Sequence, residues 1–202
     1  MSGIYKDKKW KDKNGKFVYF FNSGKIKSIE NYSNNLKNGK WVQYYENGNK
    51  DFEIIYENDK KDGEWLWYFE NGQLSAKENY INDKRVDTKF WNEKGIKVDI
   101  TQAEFPPTFM GGDIKTFYNW AIRLVRYPNE AKENGFQGDE VAKFYIDKQG
   151  KTGVVKITKS VHPSIDKEII SIIENSPLWK PGKMHGRFHK YIYELTLTYR
   201  LD

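Results

Sequence analysis

The residues whose types and spacing could carry chemistry are few, and most lie in the second half of the chain. His185 and His189 could each offer a ring nitrogen to a metal. A zinc site needs at least one more protein ligand, and usually two. No third ligand is evident beside them, so both read as solvated histidines in a glycine-rich loop, and no metal is expected. Ser160, His162 and Asp166 sit close enough in sequence to suggest a nucleophile, a base and an orienting carboxylate. No oxyanion-donating turn surrounds them, so hydrolysis is not expected. Asp147 with Gln149-Gly150 reads as turn chemistry rather than a cation loop. No glycine-rich phosphate cradle follows a strand. The chain has no cysteine, which removes a thiolate nucleophile, a thiolate ligand and any disulfide framework. The expectation is a protein that is not an enzyme and carries no cofactor.

Composition sets the frame for those residues. At 202 residues the chain can form two domains, each large enough to bury a core. Hydrophobic residues make up only 38%, and aromatics at 16% are much of that, so large rings must supply most of the buried area. The net charge is +6, but lysines interleave with acids and form no block, so a mixed solvated surface is expected and not a nucleic-acid footprint. No apolar run reaches the roughly 18 residues of a membrane span. The stretch Met1 to Gly15 is too polar for a signal peptide, so any export signal is expected to have been removed from this chain.

The first half repeats at a shift of 24. Gly15-Lys16-Phe17-Val18, Gly39-Lys40-Trp41-Val42 and Gly63-Glu64-Trp65-Leu66 coincide, as do Gly24, Gly48 and Gly72, and Tyr32, Tyr56 and Tyr80. A degraded copy, Phe90-Trp91-Asn92-Glu93-Lys94-Gly95, follows one residue out of step. Each unit reads as a hairpin, with Asn47-Gly48, Asn71-Gly72 and Ser23-Gly24 supplying positive φ at the tips. Trp65, Trp67 and Phe69 share one strand face. A lone hairpin is marginal in water, so stacked copies must stabilise one another. The pattern Gly-x-Trp-x-x-Tyr-x-x-Asn-Gly with a following Tyr resembles the bacterial MORN-variant repeat, over about residues 10 to 95.

Pro106-Pro107 cannot extend a ladder, so a boundary is expected between residues 1–100 and 101–202. Asp113 should cap a helix with Ile114, Phe117, Ala121 and Leu124 on its inner face, ending before Tyr127-Pro128. Pro128 should open a short helix to Asn134, closed by Gly135. Strands are expected over Glu140 to Ile146 and Gly153 to Ser160. A helix from Pro163 to about Asn175 should turn Ile165, Ile169, Ile172 and Ile173 to the sheet. Trp179-Lys180-Pro181-Gly182 then leads by a loop to the last strand. There Tyr191, Tyr193, Leu195, Leu197 and Tyr199 alternate with Ile192, Glu194, Thr196 and Thr198, the pattern of a strand with one buried face.

Tyr127-Pro128, Ala131, Gly135, Gln137-Gly138, Val141, Phe144, Asp147, Gln149-Gly150, Ser160, Asp166 and Trp179-Lys180-Pro181-Gly182 look like the C-terminal domain of TonB. Phe109-Met110-Gly111-Gly112 is similar to the longer Bacteroidetes-type version, and the match covers about residues 104 to 201. The resemblance implies an α+β chain: an antiparallel MORN-like hairpin sheet, then a three-stranded antiparallel sheet backed by helices. It also implies a periplasmic protein of a Gram-negative envelope that couples the inner-membrane proton gradient to outer-membrane transporters. In that family the transporter's TonB box pairs with the last strand. The implied partner site is therefore Tyr191, Ile192, Tyr193, Glu194, Leu195, Thr196, Leu197, Thr198 and Tyr199, with Arg126 and Tyr127 nearby. The family's membrane anchor and Pro-rich spacer are replaced here by repeats, and Val125-Arg126 stands before Tyr127-Pro128 where the best-known members have Gln-Pro.

The expected function is thus an adaptor that receives an extended segment of an outer-membrane transporter or another envelope protein by strand addition. The same edge could pair with a second copy and give a homodimer. Thr196, Thr198 and Arg200 are the candidates for selectivity, and Lys190 with Arg200 would discourage unwanted edge pairing. The alternative is a cytoplasmic antitoxin or immunity-type protein whose repeat face binds a toxin.

Overall fold

The computed structural model describes residues 12–201 and the backbone of Gly3–Ile4. The expectations placed on Met1, Ser2 and residues 5–11 lie outside the described residues. Two compact units are present. One runs to Glu104 and takes in His185–Arg187; the other comprises Phe105–Met184 and Phe188–Asp202.

In the first unit the strands are β1 Gly3–Ile4, β2 Gly15–Phe20, β3 Ile26–Ser33, β4 Leu36–Lys37, β5 Gly39–Tyr44, β6 Lys50–Glu57, β7 Lys60–Lys61, β8 Gly63–Tyr68, β9 Leu74–Ile81, β10 Lys84–Trp91 and β11 Lys97–Val98. They form one sheet in the order β1-β2-β3-β5-β6-β8-β9-β10-β11, with β4 on β3 and β7 on β6. The tip glycines Gly24, Gly48 and Gly72 take φ of +83°, +95° and +87°. The asparagines before them do not, which corrects the expected Asn-Gly turn. Tyr45 N–H donates to Asn49 O and Gly48 N–H to Tyr45 O, so the loop is the longer kind with one left-handed residue. The two-residue turns with both central φ positive lie at the opposite ends, at Asn34-Asn35, Asn58-Asp59 and Asn82-Asp83.

Those second turns also join the copies. Asp59 Oδ1 accepts from Lys37 N–H at 2.7 Å and Asp83 Oδ1 from Lys61 N–H at 2.8 Å, while Asp59 and Asp83 N–H donate to the Lys37 and Lys61 carbonyls. Asn35 does the same with Lys13. On one face the rings of Phe17, Tyr32, Trp41, Tyr56, Trp65 and Tyr80 follow one another at 5.5, 4.9, 5.5, 5.2 and 5.0 Å. Four of these five pairs meet edge to face, where the positive ring edge meets a negative face, and the Trp65–Tyr80 pair is tilted. The Trp41 and Trp65 indole N–H groups donate to Asn31 O and Ile55 O, both at 2.8 Å. Lys37 lies over Trp41 and Tyr56, and Lys61 over Trp65 and Tyr80, at 4.7 to 5.0 Å. After β11 the chain forms α1, Ile100–Ala103, held by a capping box between Asp99 and Gln102 that the sequence reading did not anticipate.

From Phe105 onward the chain forms α2 Ile114–Leu124, α3 Asn129–Glu133, β12 Gly138–Ile146, β13 Thr152–Lys159, α4 Pro163–Glu174, β14 Lys183–Met184, β15 Arg187–Phe188 and β16 Tyr191–Tyr199. Asp113 caps α2 by accepting from Lys115 and Thr116 N–H. Phe117 and Ala121 of α2 are buried, but Leu124 is 45% exposed, so the expected inner face stops one turn short. Pro128 occupies the cap position of α3 and not its first turn. The sheet order is β13-β12-β16. Its core combines Ala142, Phe144, Ile146, Leu195, Leu197 and Tyr199 with Ile165, Ile169, Ile172 and Ile173 of α4, and with Phe109, Phe117 and Trp179. Gly150, at φ +84°, lets the β12–β13 turn press on the Trp179 backbone: a Cβ there would lie 2.0 Å from Trp179 O. The expected plain loop before the last strand contains the short pair β14–β15.

Replacing Trp41 or Trp65 by alanine removes a buried ring and its hydrogen bond. Each change should cost about 3–5 kcal/mol and melt the repeat sheet before the second unit, measured by chemical denaturation with hydrogen exchange.

Candidate functional site

The last strand stands at one end of its sheet. β16 pairs with β12 through an unbroken register from Gly138↔Tyr199 to Ile146↔Tyr191, and no other strand pairs with it among the described residues. Alternation divides its side chains. Leu195, Leu197 and Tyr199 are buried in the core, and Tyr191 and Tyr193 are half-buried and stacked. The Tyr191 hydroxyl donates to Lys183 O at 2.8 Å. Ile192, Glu194, Thr196, Thr198 and Arg200 are exposed. Of these, Glu194 pairs with Lys143 at 3.3 Å and Thr198 donates to Asp139 at 2.9 Å, while Ile192 stays 60% exposed. One backbone acceptor is already engaged: the Tyr118 hydroxyl of α2 donates to Glu194 O at 2.6 Å. A guest strand would have to share or displace that bond.

Arg126 and Tyr127 take different roles. Arg126 is exposed and borders a shallow cleft of about 280 Å³ with Trp120, Leu124 and Glu168, and its backbone N–H donates to Glu168 Oε1 at 3.0 Å. Tyr127 is half-buried: its ring meets Tyr199 at 5.3 Å and its hydroxyl donates to Phe136 O. It braces the end of the last strand from the core side.

The first unit holds a cluster that sequence reasoning missed. His185 is not solvated, as expected, but stacked on Trp67 with centroids 3.9 Å apart, and its Nδ1–H donates to Glu78 Oε1 at 2.6 Å. Glu104 lies 3.9 Å from the same nitrogen. One ligand atom from each of Glu78, Glu104 and His185 falls within 4.8 Å of the others, a set chemically able to hold a divalent metal. The cationic position is, however, taken by Arg85, whose guanidinium bonds both Glu104 oxygens at 2.9 and 3.0 Å and Glu78 at 3.2 Å. Burial pushes the Glu78 carboxyl up, but the His185 hydrogen bond and charge, the Tyr80 hydroxyl and Arg85 outweigh it and hold it below the usual range. Beside it, Arg187 bonds Asp51, the Tyr45 hydroxyl at 2.5 Å and Tyr68 O at 2.8 Å. His185 and Arg187 lie more than a hundred positions from these partners, and no local spacing announces them.

Ser160 and His162 have separate partners. Ser160 Oγ donates directly to Asp166 at 2.7 Å, whereas His162 Nδ1 caps α4 by accepting from Ser164 N–H and lies 2.8 Å from the Ser164 hydroxyl, so Ser160, His162 and Asp166 do not form the linear relay their spacing suggested.

A carboxylate whose folded pKa is lowered stabilises the fold above its unfolded value of about 4.5 and loses that contribution as pH falls through the folded value. The first unit should therefore lose stability on acidification below about pH 4.5. Glu78→Gln should flatten that acid limb and lower the melting temperature at neutral pH, both read from melting curves across pH.

The family of the Gram-negative bacterial TonB protein C-terminal matches residues 123–201, and the MORN repeat variant matches residues 13–34, 37–58 and 61–82. No curated protein and no solved structure gives a significant match. No helix among the described residues is long and apolar enough to cross a membrane. Residues 13–82 are thus similar to MORN repeat variants and residues 123–201 to the TonB C-terminal domain, a combination that points to protein interaction.

Proposed function

We propose that the protein is a non-enzymatic adaptor of the Gram-negative envelope, acting in the periplasm, that captures an extended segment of a protein such as an outer-membrane transporter by strand addition to β16. The observation that carries this reading is the position of β16 at the sheet end, paired only with β12 among the described residues. About five ladder bonds at roughly 1 kcal/mol each would have to exceed an association cost of at least about 4 kcal/mol. Backbone pairing alone is therefore weak, and the exposed side chains of Ile192, Thr196 and Arg200 would supply selectivity. The core-facing Leu195, Leu197 and Tyr199 contribute backbone and rigidity. Arg126 borders the cleft at the end of α2, where a guest's flanking residues could reach it. Pairing of two copies through the same edge competes with capture.

The test is a titration of the labelled full chain with an extended peptide from the amino-terminal segment of an envelope transporter. Amide shifts should move at residues 191–199, and Ile192→Asp, at a side chain left exposed, should weaken binding without lowering the melting temperature by more than about 2 °C. Shifts confined to the repeats would transfer the role to the first unit.

A further inference from the structure

Alternation along β12 places Glu140 where the core needs an apolar side chain. It shares a face with Ala142, Phe144 and Ile146, is fully buried, and lies opposite Leu197 of β16. Its Oε2 accepts from Val161 N–H at 2.8 Å, while Oε1 meets no hydrogen-bond donor among the described residues. The buried hydroxyl of Tyr199, two residues beyond Leu197, also has no hydrogen-bond partner among the described residues. Among the described residues, the ionisable groups that act on this pair are acidic or neutral. Asp166 on α4 faces Glu140; Glu168 on α4 and Tyr127 before α3 face Tyr199. A buried carboxylate with one oxygen unsatisfied and a second carboxylate beside it is strongly disfavoured, whereas a neutral carboxyl can donate its proton to that neighbour.

We propose that Glu140 is a proton-binding site that governs how firmly the Leu197–Tyr199 end of the last strand is held. Burial pushes its carboxyl up to about 7, against the pull of Val161 N–H, and Asp166 adds to the rise as hydrogen-bond partner and as like charge. Between the ordinary 4.5 and about 7 the folded chain keeps a proton that the unfolded chain has released. Stability therefore falls as pH rises through that window and is level above it. The least costly relief for an ionised Glu140 is local opening that admits water, and the strand across from it is the one whose far side carries no other strand among the described residues. The last strand would thus be tightest in mildly acid surroundings and looser above neutrality.

As regulation of the edge, the idea rests on the function proposed above, but its test needs no partner. Hydrogen exchange of the full chain should show protection factors at Leu197–Tyr199 falling about tenfold from mildly acid to mildly alkaline pH, after correction for intrinsic rates. Amides in the repeats should not follow. Glu140→Gln, neutral at every pH, should abolish that fall. Should the variant fail to fold, the carboxyl carbon shift of Glu140 in the unaltered chain decides: a midpoint near 7 supports the site, and one near 4.5 overturns it. Equal pH dependence in Glu140→Gln also overturns it. A peptide that fails to bind β16 would sink the adaptor reading and leave this one intact.

Discussion

Pairing β12 with β16 along nine residues imposes one rule on the second unit: each residue's face is set by its parity in an unbroken ladder. A slip of one position would turn Leu195, Leu197 and Tyr199 to water and bury Glu194, Thr196 and Thr198. α4 then has one surface to cover, and its four buried isoleucines do so. Phe109 and Trp179, 4.9 Å apart, close the same core from the segments flanking it in sequence. The rule has a cost, because it carries Glu140 inward with its apolar neighbours. The core therefore contains one acid whose charge the fold does not neutralise.

The first unit obeys a different constraint. It has few aliphatic residues, so burial depends on rings contributed by consecutive hairpins, each ring needing the next copy as its neighbour. Lysines place their ammonium groups over those rings, a way to cover aromatic surface without adding apolar residues. The clasps at Asn35, Asp59 and Asp83 fix the spacing of the copies through backbone groups. Side-chain identity on the outer faces is thereby left less constrained than in the ring column.

Buried charge is handled in opposite ways in the two units. Glu78 is ionised and surrounded by His185, Arg85 and Tyr80, so it acts as a fixed electrostatic joint. Glu140 has a backbone N–H, a neighbouring acid and no cation at hydrogen-bond distance among the described residues, so it answers to pH where Glu78 resists it. The MORN-like part thus has a sheet locked by compensated charge, and the TonB-like part a sheet whose end strand, on the proposal above, tightens and loosens with pH.

Periodicity alone determined much of this protein. The shift of 24 set the hairpin repeat, the alternation from Tyr191 to Tyr199 set the buried face of the last strand, and Asp113, Pro163 and the isoleucine spacing set the helices, because each signal depends on residues within one or two turns or strands. The turn types were only half legible: Gly48 was read correctly, but Asn58-Asp59 was overlooked because its signal is backbone conformation rather than a Gly. Tertiary structure alone decided the rest. His185 meets Glu78, and Arg187 meets Asp51, across more than a hundred residues. Leu124, in the last turn of α2, is left 45% exposed although it lies at helical spacing from the buried Phe117 and Ala121. Such long-range pairings follow from how complete elements pack, and that packing leaves no trace in the spacing of neighbouring residues.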